Sequence, residues 1–353
     1  MTDPLLQIED LTVTYGGRSL LGLKTRGVDA VKGANLTIRP GETLGLVGES
    51  GSGKSSIANT LLGLVPASSG RMMFDGTDLA QMKDGYPDVV RRKIQAVFQD
   101  PYSSLNPSMT VEQIVTEPLK IHATMTRADR RARAAELLRM VNLPETHLPR
   151  YPNEFSGGQR QRIAIAAALA LQPKLIVLDE PVSALDVSTQ NQIINLLYER
   201  RNATGMSYLL IAHDLALVHH ISDRIAVMYL GHIVEEGPAD RVYHQPAHPY
   251  TRALLDAVPL LDPERQRARR AARRAAPPTD LPRIAVQGCP YRHRCPRAID
   301  RCRSESPRAL AVPGGGTAEC HLLEPSGTTP PAQQTTPGAK GPASNTPPRK
   351  EPA

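Results

Sequence analysis

One run of eight residues, 48–55, constrains what this chain can fold into more than any other. It reads Gly-Glu-Ser-Gly-Ser-Gly-Lys-Ser, which fits the phosphate-binding pattern of a glycine, four residues, and then Gly-Lys-Ser. Glycines let the backbone curl until successive N–H groups point at phosphate oxygens. We expect Lys54 to bridge the phosphates and Ser55 to ligate Mg²⁺. The run therefore predicts a nucleotide-binding site.

The flanking segments have the structure that a phosphate loop requires. Residues 43–47 form an apolar run typical of a buried strand, and residues 57–62 predict a helix. A helix that begins at the loop adds the positive end of its dipole to the site. The candidate nucleotide-binding residues in this stretch are Gly48, Ser50, Gly51, Gly53, Lys54, Ser55 and Ser56.

Composition narrows the class of protein. The chain has 353 residues and a formal charge of +7, but six arginines fall within residues 265–274, so the net charge alone does not argue for nucleic acid. No apolar run reaches the roughly 18 residues that span a bilayer, and the N-terminus lacks the pattern of a signal peptide. We expect a cytoplasmic chain, in which four cysteines near the C-terminus favour a metal site over disulfides.

The pattern along the chain predicts several units. Alternation in 6–13 and 34–38 predicts a small β-subdomain whose first strand lies at an exposed edge, and 16–29 is predicted to be a long loop. Helical periodicity dominates 101–171. Apolar runs at 175–178, 208–212 and 224–228 then predict buried parallel strands, separated by helices at 189–200 and 215–221.

Two carboxylates end the strand at 175–178. Asp179 is expected to hold Mg²⁺ through water, and Glu180 is expected to orient and polarise the attacking water. An Asp-Glu pair after a strand is usually a solvated turn, but the phosphate loop upstream favours the catalytic interpretation.

A second anion-binding position is predicted at residues 156–159. Ser156 is a good helix N-cap, and Gly157 and Gly158 leave the first amides of the following helix uncovered. With Gln159 they form a run that, beside the phosphate loop and the Asp-Glu strand, resembles the signature sequence of ATP-binding-cassette (ABC) ATPases.

The resemblance covers residues from about 5 to 323 and implies an α/β P-loop NTPase core of the ABC type, with an antiparallel β-subdomain and an inserted helical subdomain. In that family the signature of one cassette closes over the ATP held by another, in a head-to-tail dimer. The resemblance implies further roles at four places. Tyr15 would stack on adenine, Gln99 would contact Mg²⁺ and sense the γ-phosphate, 183–186 would communicate across the dimer, and His213 would be the switch histidine that holds the γ-phosphate and Glu180 in register.

Three runs, 99–107, 179–187 and 248–255, are similar to the oligopeptide and dipeptide importers, and Gln159 favours their F-type ATPase subunit. This resemblance implies ATP-driven import, a heterodimer with a second ABC ATPase subunit, two permease subunits that dock between residues 102 and 120, and an extracytoplasmic substrate-binding protein acting through the permeases. No nucleic-acid partner is expected. The subunit would lie peripherally on the cytoplasmic face of the cell membrane. Ser56 and Ala167 depart from residues common in the family, but neither removes a catalytic group.

The cysteines do not have the paired spacing common in zinc fingers. They resemble the C-terminal cysteine region of the same importer ATPases, which is associated with a [4Fe–4S] cluster. Soft Cys₄ ligation suits either that cluster or Zn²⁺, with iron–sulfur favoured, and the segment is expected to be tied down by its ligation. The proposed ligands are Cys289, Cys295, Cys302 and Cys320.

Two other classes of function stay open. One is a cassette ATPase acting on DNA or ribosomes, although such proteins usually need a coiled coil or two cassettes in one chain. The other is a redox-responsive regulator built around the cysteines. The predicted organisation is a nucleotide-binding core at 1–98 and 172–258, a helical subdomain with the signature at 99–171, a linker and four-cysteine region at 259–323, and a disordered tail at 324–353.

Overall fold

A computed structural model describes residues 3–16, 19–20, 23–24, 27–82, 85–257, 264, 267 and 287–324. The predicted arginine-rich linker lies almost entirely outside the described residues, and so does the predicted disordered tail after Glu324. The domain boundaries given above stay a prediction.

The strands are β1 (Leu6–Tyr15), β2 (Ser19–Leu20), β3 (Leu23–Lys24), β4 (Val28–Ile38), β5 (Thr43–Val47), β6 (Ser69–Phe74), β7 (Thr77–Asp78), β8 (Ile94–Val97), β9 (Leu175–Asp179), β10 (Ser207–Ala212), β11 (Arg224–Tyr229), β12 (His232–Pro238), β13 (Ala309–Ala311) and β14 (Thr317–Glu319). The α-helices are α1 (Lys54–Leu61), α2 (Asp88–Lys93), α3 (Pro101–Ser104), α4 (Val111–His122), α5 (Arg127–Met140), α6 (Gly157–Leu169), α7 (Val187–Thr204), α8 (Leu215–Ile221), α9 (Ala239–His244), α10 (Pro249–Ala257) and α11 (Arg301–Ser304). Short 3₁₀ turns occupy Leu79–Gln81, Glu145–His147, Pro152–Glu154 and His321–Leu323.

The larger sheet has the strand order β13-β14-β12-β11-β5-β10-β9-β8. Its central strands, from β11 to β8, run parallel. Every residue of β5 and β10 is buried, as expected for parallel strands covered on both faces. Parallel pairing brings the carboxyl ends of these strands to one edge of the sheet.

The predicted antiparallel β-subdomain is present, with the strand order β4-β1-β6-β7. The expectation that the first strand lies at an edge was wrong, because β1 pairs with β4 on one side and β6 on the other. Alternation identifies which face of a strand is buried, whereas it does not identify the strand's neighbours.

The predicted long loop at 16–29 also needs correction. The residues described there include the short antiparallel pair β2 and β3, and β4 already begins at Val28. Strands of two residues are too short to show an alternating pattern, so the sequence did not indicate them among the glycines and basic residues.

The helical subdomain packs α4 and α5 against α6. Thr110 and Thr126 cap the first two helices with their hydroxyls, which accept hydrogen bonds from the N3 amides. Buried aliphatic residues of all three helices, among them Val115, Leu138 and Ile163, join the hydrophobic cluster that also contains Leu178 of β9. The predicted inserted helical segment is therefore attached to the sheet by a shared core.

The cysteine-containing segment continues the larger sheet. Glu235 and Glu236 of β12 pair antiparallel with Ala318 and Thr317 of β14. The buried Arg241 side chain forms an ion pair with Glu235 and donates to the Gly315 carbonyl oxygen at 3.1 Å. In the part of the chain that the structure describes, no helix is long and apolar enough to cross a bilayer.

His248 joins this segment to α10 and makes the stability of the fold depend on pH. The side chain is 1% exposed, and its Nδ1 accepts a hydrogen bond from the Tyr250 amide at 3.0 Å. Burial lowers the pKa of His248 to about 4, and a hydrogen bond to the Glu319 backbone works against this shift. The folded chain therefore keeps the ring neutral at pH values where the unfolded chain protonates it.

Stability from His248 is present above its unfolded pKa of 6.5 and is lost as the pH falls toward about 4. Between pH 7 and pH 4.5, the wild type should lose about 1 to 3 kcal/mol more unfolding free energy than His248→Asn, as measured by urea denaturation. The exposed His220→Asn is the matched control. Identical pH profiles for wild type and His248→Asn would contradict this.

Candidate functional site

The phosphate loop connects β5 to α1, and two of its glycines are required by close approach of the backbone. A Cβ at Gly48 would lie 2.2 Å from the Met228 carbonyl oxygen. Gly53 has φ of 109°, and a Cβ there would lie 2.2 Å from the Ala30 carbonyl oxygen. Between them, Ser50 and Gly51 are exposed at the turn of the loop.

Lys54 begins α1 and is only 5% exposed. Its Nζ donates to the carbonyl oxygens of Gly48 at 2.7 Å and Glu49 at 2.9 Å. Burial lowers the pKa of Lys54, while the nearby carboxylates of Glu180, Asp179 and Glu49 act in the opposite direction. The ammonium group is thus held inside the loop, where a phosphate oxygen can replace a carbonyl oxygen as its partner.

Ser55 and Asp179 meet at the end of β9. The Ser55 hydroxyl lies 3.4 Å from Asp179 Oδ1, and burial raises the pKa of Asp179. A hydroxyl and a carboxylate are oxygen ligands of the kind that Mg²⁺ prefers. Gln99, which follows β8, offers an amide oxygen at the same edge of the sheet, so this donor set fits the predicted metal ion.

Glu180 has an unusual backbone, with φ of 47°. A non-glycine residue in this region is strained, and the strain is maintained here by a hydrogen bond from the Glu180 amide to the Ile211 carbonyl oxygen at 2.9 Å. The carboxylate oxygen Oε2 accepts a hydrogen bond from Gln99 Nε2 at 3.0 Å and lies 3.4 Å from His213 Nδ1. Three predicted site residues from three different strand ends are therefore brought together.

Two other predicted residues lie on β1 and α1. Tyr15 ends β1 and is 41% exposed, so its ring is accessible for stacking. Ser56 is half-buried in the first turn of α1, where its amide donates to the Gly53 carbonyl oxygen at 3.1 Å.

The predicted N-cap at Ser156 is present. Ser156 Oγ accepts from the Gln159 amide at 3.4 Å, and Gln159 Oε1 accepts from the Ser156 amide at 3.0 Å. Gly158 packs closely on α7, because a Cβ there would lie 2.3 Å from Thr189 Cγ2, and a Cβ on Gly157 would lie 3.2 Å from Leu185. Among the described residues, no hydrogen bond or ion pair joins Ser156–Gln159 to the phosphate loop, so these two predicted nucleotide-binding elements are not connected directly within one chain.

The sequence did not predict two tyrosine contacts at the site, one through a hydroxyl and one through a ring face. The Tyr250 hydroxyl accepts a hydrogen bond from the Glu49 amide at 2.9 Å, which fixes the phosphate loop from α10. The Arg160 guanidinium lies 4.0 Å from the centroid of the Tyr102 ring, which links the signature helix to α3. Both tyrosines fall in runs noted for their family likeness, but nothing local in the sequence indicates their partners.

The four cysteines are free thiols gathered in one segment. Cys289 and Cys302 are buried, and Cys295 and Cys320 are half-buried. Burial raises the pKa of Cys289 to about 11 and also raises the pKa of Cys295 and of Cys320. The backbone amides of Tyr291, Arg297 and Leu322 act in the opposite direction on these three pKa values, but burial has the larger effect.

The spacing of the sulfur atoms bears on the choice of metal. Within the described ranges, the trio of metal-ligating atoms found within 4.8 Å of one another is His219, Asp240 and His244, so no three cysteine sulfurs are this close. A tetrahedral Zn²⁺ with Zn–S bonds of about 2.3 Å holds its sulfurs about 3.8 Å apart. A multi-iron cluster holds them further apart, since each thiolate ligates a different iron. The described residues therefore show no preformed three-thiolate site for a single zinc ion, and this absence is not evidence for a cluster.

Two family models match the chain. Residues 31–183 match the model described as ABC transporter, and residues 234–302 match the model described as oligopeptide/dipeptide transporter, C-terminal region.

Similar proteins carry related names. A probable peptide ABC transporter ATP-binding protein of Sinorhizobium fredii is 46% identical over 92% of each chain. The oligopeptide transport ATP-binding protein OppF of Salmonella typhimurium is 48% identical over 86% of this chain and 92% of its own length.

Solved structures agree with these matches. CbiO1 of Clostridium perfringens, described as part of the ABC transporter complex cbiONQ, has a TM-score of 0.61 and 30% identity over 69% of this chain and 92% of its own length. The dimeric post-hydrolysis state of the ATP-binding cassette MJ0796, bound to ADP and Pi, has a TM-score of 0.58 and 32% identity over 66% of this chain and 98% of its own length. The chain therefore belongs to the family of ABC transporter ATP-binding proteins, in the group that carries the oligopeptide/dipeptide transporter C-terminal region.

Proposed function

We propose that this chain is the ATP-binding and hydrolysing subunit of a peptide importer. The observation that carries the proposal is the convergence of Gln99, Glu180 and His213 beside the phosphate loop and Asp179. The C-terminal match and the relatives named for peptide transport support peptide as the substrate class.

The local geometry of the phosphate loop supports ATP binding. The N–H groups of the phosphate loop and the ammonium of Lys54 bind the phosphates, and Tyr15 stacks on the adenine ring. Ser55, Gln99 and Asp179 would hold Mg²⁺, which would supply positive charge against the phosphates. Because Lys54 is buried against the loop carbonyls, little side-chain entropy is lost when it takes a phosphate partner.

Hydrolysis depends on Glu180. Its carboxylate accepts a proton from the attacking water, while Gln99 and His213 fix the position of Oε2. The His213 side chain is 60% exposed and is therefore accessible to the γ-phosphate.

A complete site requires a second cassette. The signature residues Ser156, Gly157, Gly158 and Gln159 form an anion-binding helix start, and we propose that it closes over the ATP of a partner ATPase subunit in a head-to-tail heterodimer. One of the similar structures is a dimeric cassette bound to ADP and Pi, which supports the pairing of two cassettes.

Membrane partners complete the assembly that we propose. Two permease subunits dock at residues 102–120 on the cytoplasmic face of the membrane, and an extracytoplasmic binding protein delivers substrate to them. Tyr102 is 62% exposed and contacts Arg160 of the signature helix, so a partner there is coupled to the ATP interface. A role on DNA or ribosomes is not favoured by the relatives or by the C-terminal match.

For the cysteine segment we propose a [4Fe–4S] cluster held by Cys289, Cys295, Cys302 and Cys320, with Zn²⁺ as the alternative. The cluster would supply cross-links to a short segment with few apolar residues of its own. The confinement of all four free thiols to one described segment supports shared ligation.

Replacement of Glu180 tests the hydrolytic mechanism. We expect Glu180→Gln to lower the ATP turnover of the assembled transporter by about 10²- to 10⁴-fold, because the general base is lost while the size of the side chain is kept. ATP affinity, measured by equilibrium binding, should stay within about threefold of wild type, since Glu180 does not hold the phosphates.

The matched control is Glu199→Gln, an exposed glutamate on α7 that pairs only loosely with Arg200 at 3.9 Å. Turnover of Glu180→Gln equal to that of this control would refute the assignment of the base.

The assembly can be tested by purification of the tagged chain from its native membrane. We expect a second cassette ATPase and two permeases to co-purify, because each composite ATP site needs a partner signature. Recovery of a soluble complex with ribosomes or nucleic acid would instead favour the alternative function.

The proposed cluster can be tested by metal and sulfide analysis of the same preparation, purified under anaerobic conditions. We expect a brown protein with about four iron and four labile sulfide per chain, and Cys302→Ser should lose most of both. One zinc per chain without sulfide would establish the alternative, and a metal-free wild-type segment would reject both. Ser306→Ala is the control, because the Ser306 hydroxyl lies in the same segment and donates to the Gly288 carbonyl oxygen at 3.4 Å.

A further inference from the structure

One side chain of the cysteine segment reaches the phosphate loop. The guanidinium of Arg294 pairs with the carboxylate of Glu49 through two nearly equal contacts, 2.8 Å from Nη1 to Oε2 and 2.9 Å from Nη2 to Oε1. This two-pronged geometry is the strongest form of an arginine–carboxylate pair. Glu49 directly follows Gly48, whereas Arg294 directly precedes Cys295.

Aromatic rings hold Arg294 in position for this contact. The guanidinium carbon lies 5.8 Å from the centroid of Tyr229 and 5.9 Å from that of Tyr291. Tyr291 itself packs edge-on against Tyr229 with a centroid distance of 5.2 Å. The Arg294 side chain is 27% exposed, so the pair is shielded from water on one side, and cation–π attraction adds to it.

The backbone of the cysteine segment fixes the same arginine. The Arg294 amide donates to the Tyr291 carbonyl oxygen at 3.0 Å, and the Cys289 amide donates to the Cys302 carbonyl oxygen at 2.9 Å. The position of Arg294 therefore depends on the fold of the loop between Cys289 and Cys295.

Glu49 transmits the contact to the nucleotide site. Its carbonyl oxygen accepts from Lys54 Nζ at 2.9 Å, and its amide donates to the Tyr250 hydroxyl at 2.9 Å. Its side chain is 45% exposed, and it adds negative charge close to Lys54. Without a cationic partner, Glu49 would repel the phosphates that the loop must bind.

We propose that Arg294 is a positioning residue for the phosphate loop of its own chain, and that the four-cysteine segment thereby sets the affinity of this chain for a nucleoside triphosphate. The inference rests on the proposed ATP-binding function. Arg294 neutralises Glu49 and holds the loop backbone in the conformation that presents Lys54.

The test is ATP affinity in the full-length chain carrying Glu180→Gln, so that bound ATP stays intact. We expect Arg294→Gln to weaken binding about five- to tenfold, as for loss of a partly exposed two-pronged charge pair that leaves an anion unpaired. Glu49→Gln should change affinity less than about twofold, because it removes the repulsive charge together with the pair. Combined with Glu49→Gln, Arg294→Gln should have no further effect, and Arg294→Lys should recover part of the loss.

Arg292→Gln is the matched control, because the Arg292 guanidinium donates to the Gln287 carbonyl oxygen within the same segment. With Glu180 restored and the transporter assembled, Arg294→Gln should raise the KM for ATP and leave kcat within about twofold. Equal ATP affinity of Arg294→Gln and Arg292→Gln, or the same loss in the presence and absence of Glu49, would overturn the inference. Failure of the wild-type chain to bind ATP at all would instead overturn the proposed function.

Thermodynamic reciprocity supplies a second measurement that does not involve turnover. If the folded four-cysteine segment strengthens ATP binding, then bound ATP must stabilise the folded segment by the same free energy. We expect ATP to slow amide hydrogen exchange at residues 288–302 of the chain carrying Glu180→Gln, and to have little effect there when Arg294→Gln is added. An equal effect of ATP with and without Arg294→Gln, or no effect when Arg294 is present, would contradict the coupling.

Discussion

The parallel pairing of β5 with β10, and of β10 with β9, decides where the phosphate loop, Glu180 and His213 lie relative to one another. Val47 is in register with Ala212, and Ile211 is in register with Asp179. Each strand ends within a residue or two of its partner, so Gly48, His213 and Glu180 emerge at one edge although they lie far apart in sequence. β8 extends the same register, with Val97 opposite Leu178, and so delivers Gln99. A slip of one residue in any of these pairs would turn the functional side chains to the wrong face of the sheet.

Local sequence was sufficient to predict the elements that carry a strong pattern. The glycines of the phosphate loop, the buried strand before Asp179 and the N-cap at Ser156 each follow from backbone requirements that act over a few residues. The order of strands in the smaller sheet was not predictable in this way, and β1 was wrongly expected at an edge. Strand order depends on contacts between distant segments, which alternation does not encode. The same limit applies to the contact between Glu49 and Arg294, whose separation in sequence is 245 residues.

Strain and support occur together at Glu180. A left-handed backbone at a residue with a side chain costs of order 1 kcal/mol or more, and the surrounding sheet must supply that energy. The amide of Glu180 is fixed by Ile211 of β10, and the carboxylate is fixed by groups from two other strand ends. Backbone and side chain are therefore both restrained before any substrate arrives, which lowers the entropy that must be lost in reaching the reactive geometry.

The pairing of β14 with β12 also has a consequence for the solubility of shortened forms of the chain. β12 pairs with β11 on one side, and on the other side β14 covers the backbone groups of Glu235 and Glu236. A chain cut before residue 287 would leave those amides and carbonyls without partners along an open strand. Open strands of this kind associate with one another between molecules. Through β14, the C-terminal segment therefore protects this strand of the sheet from self-association.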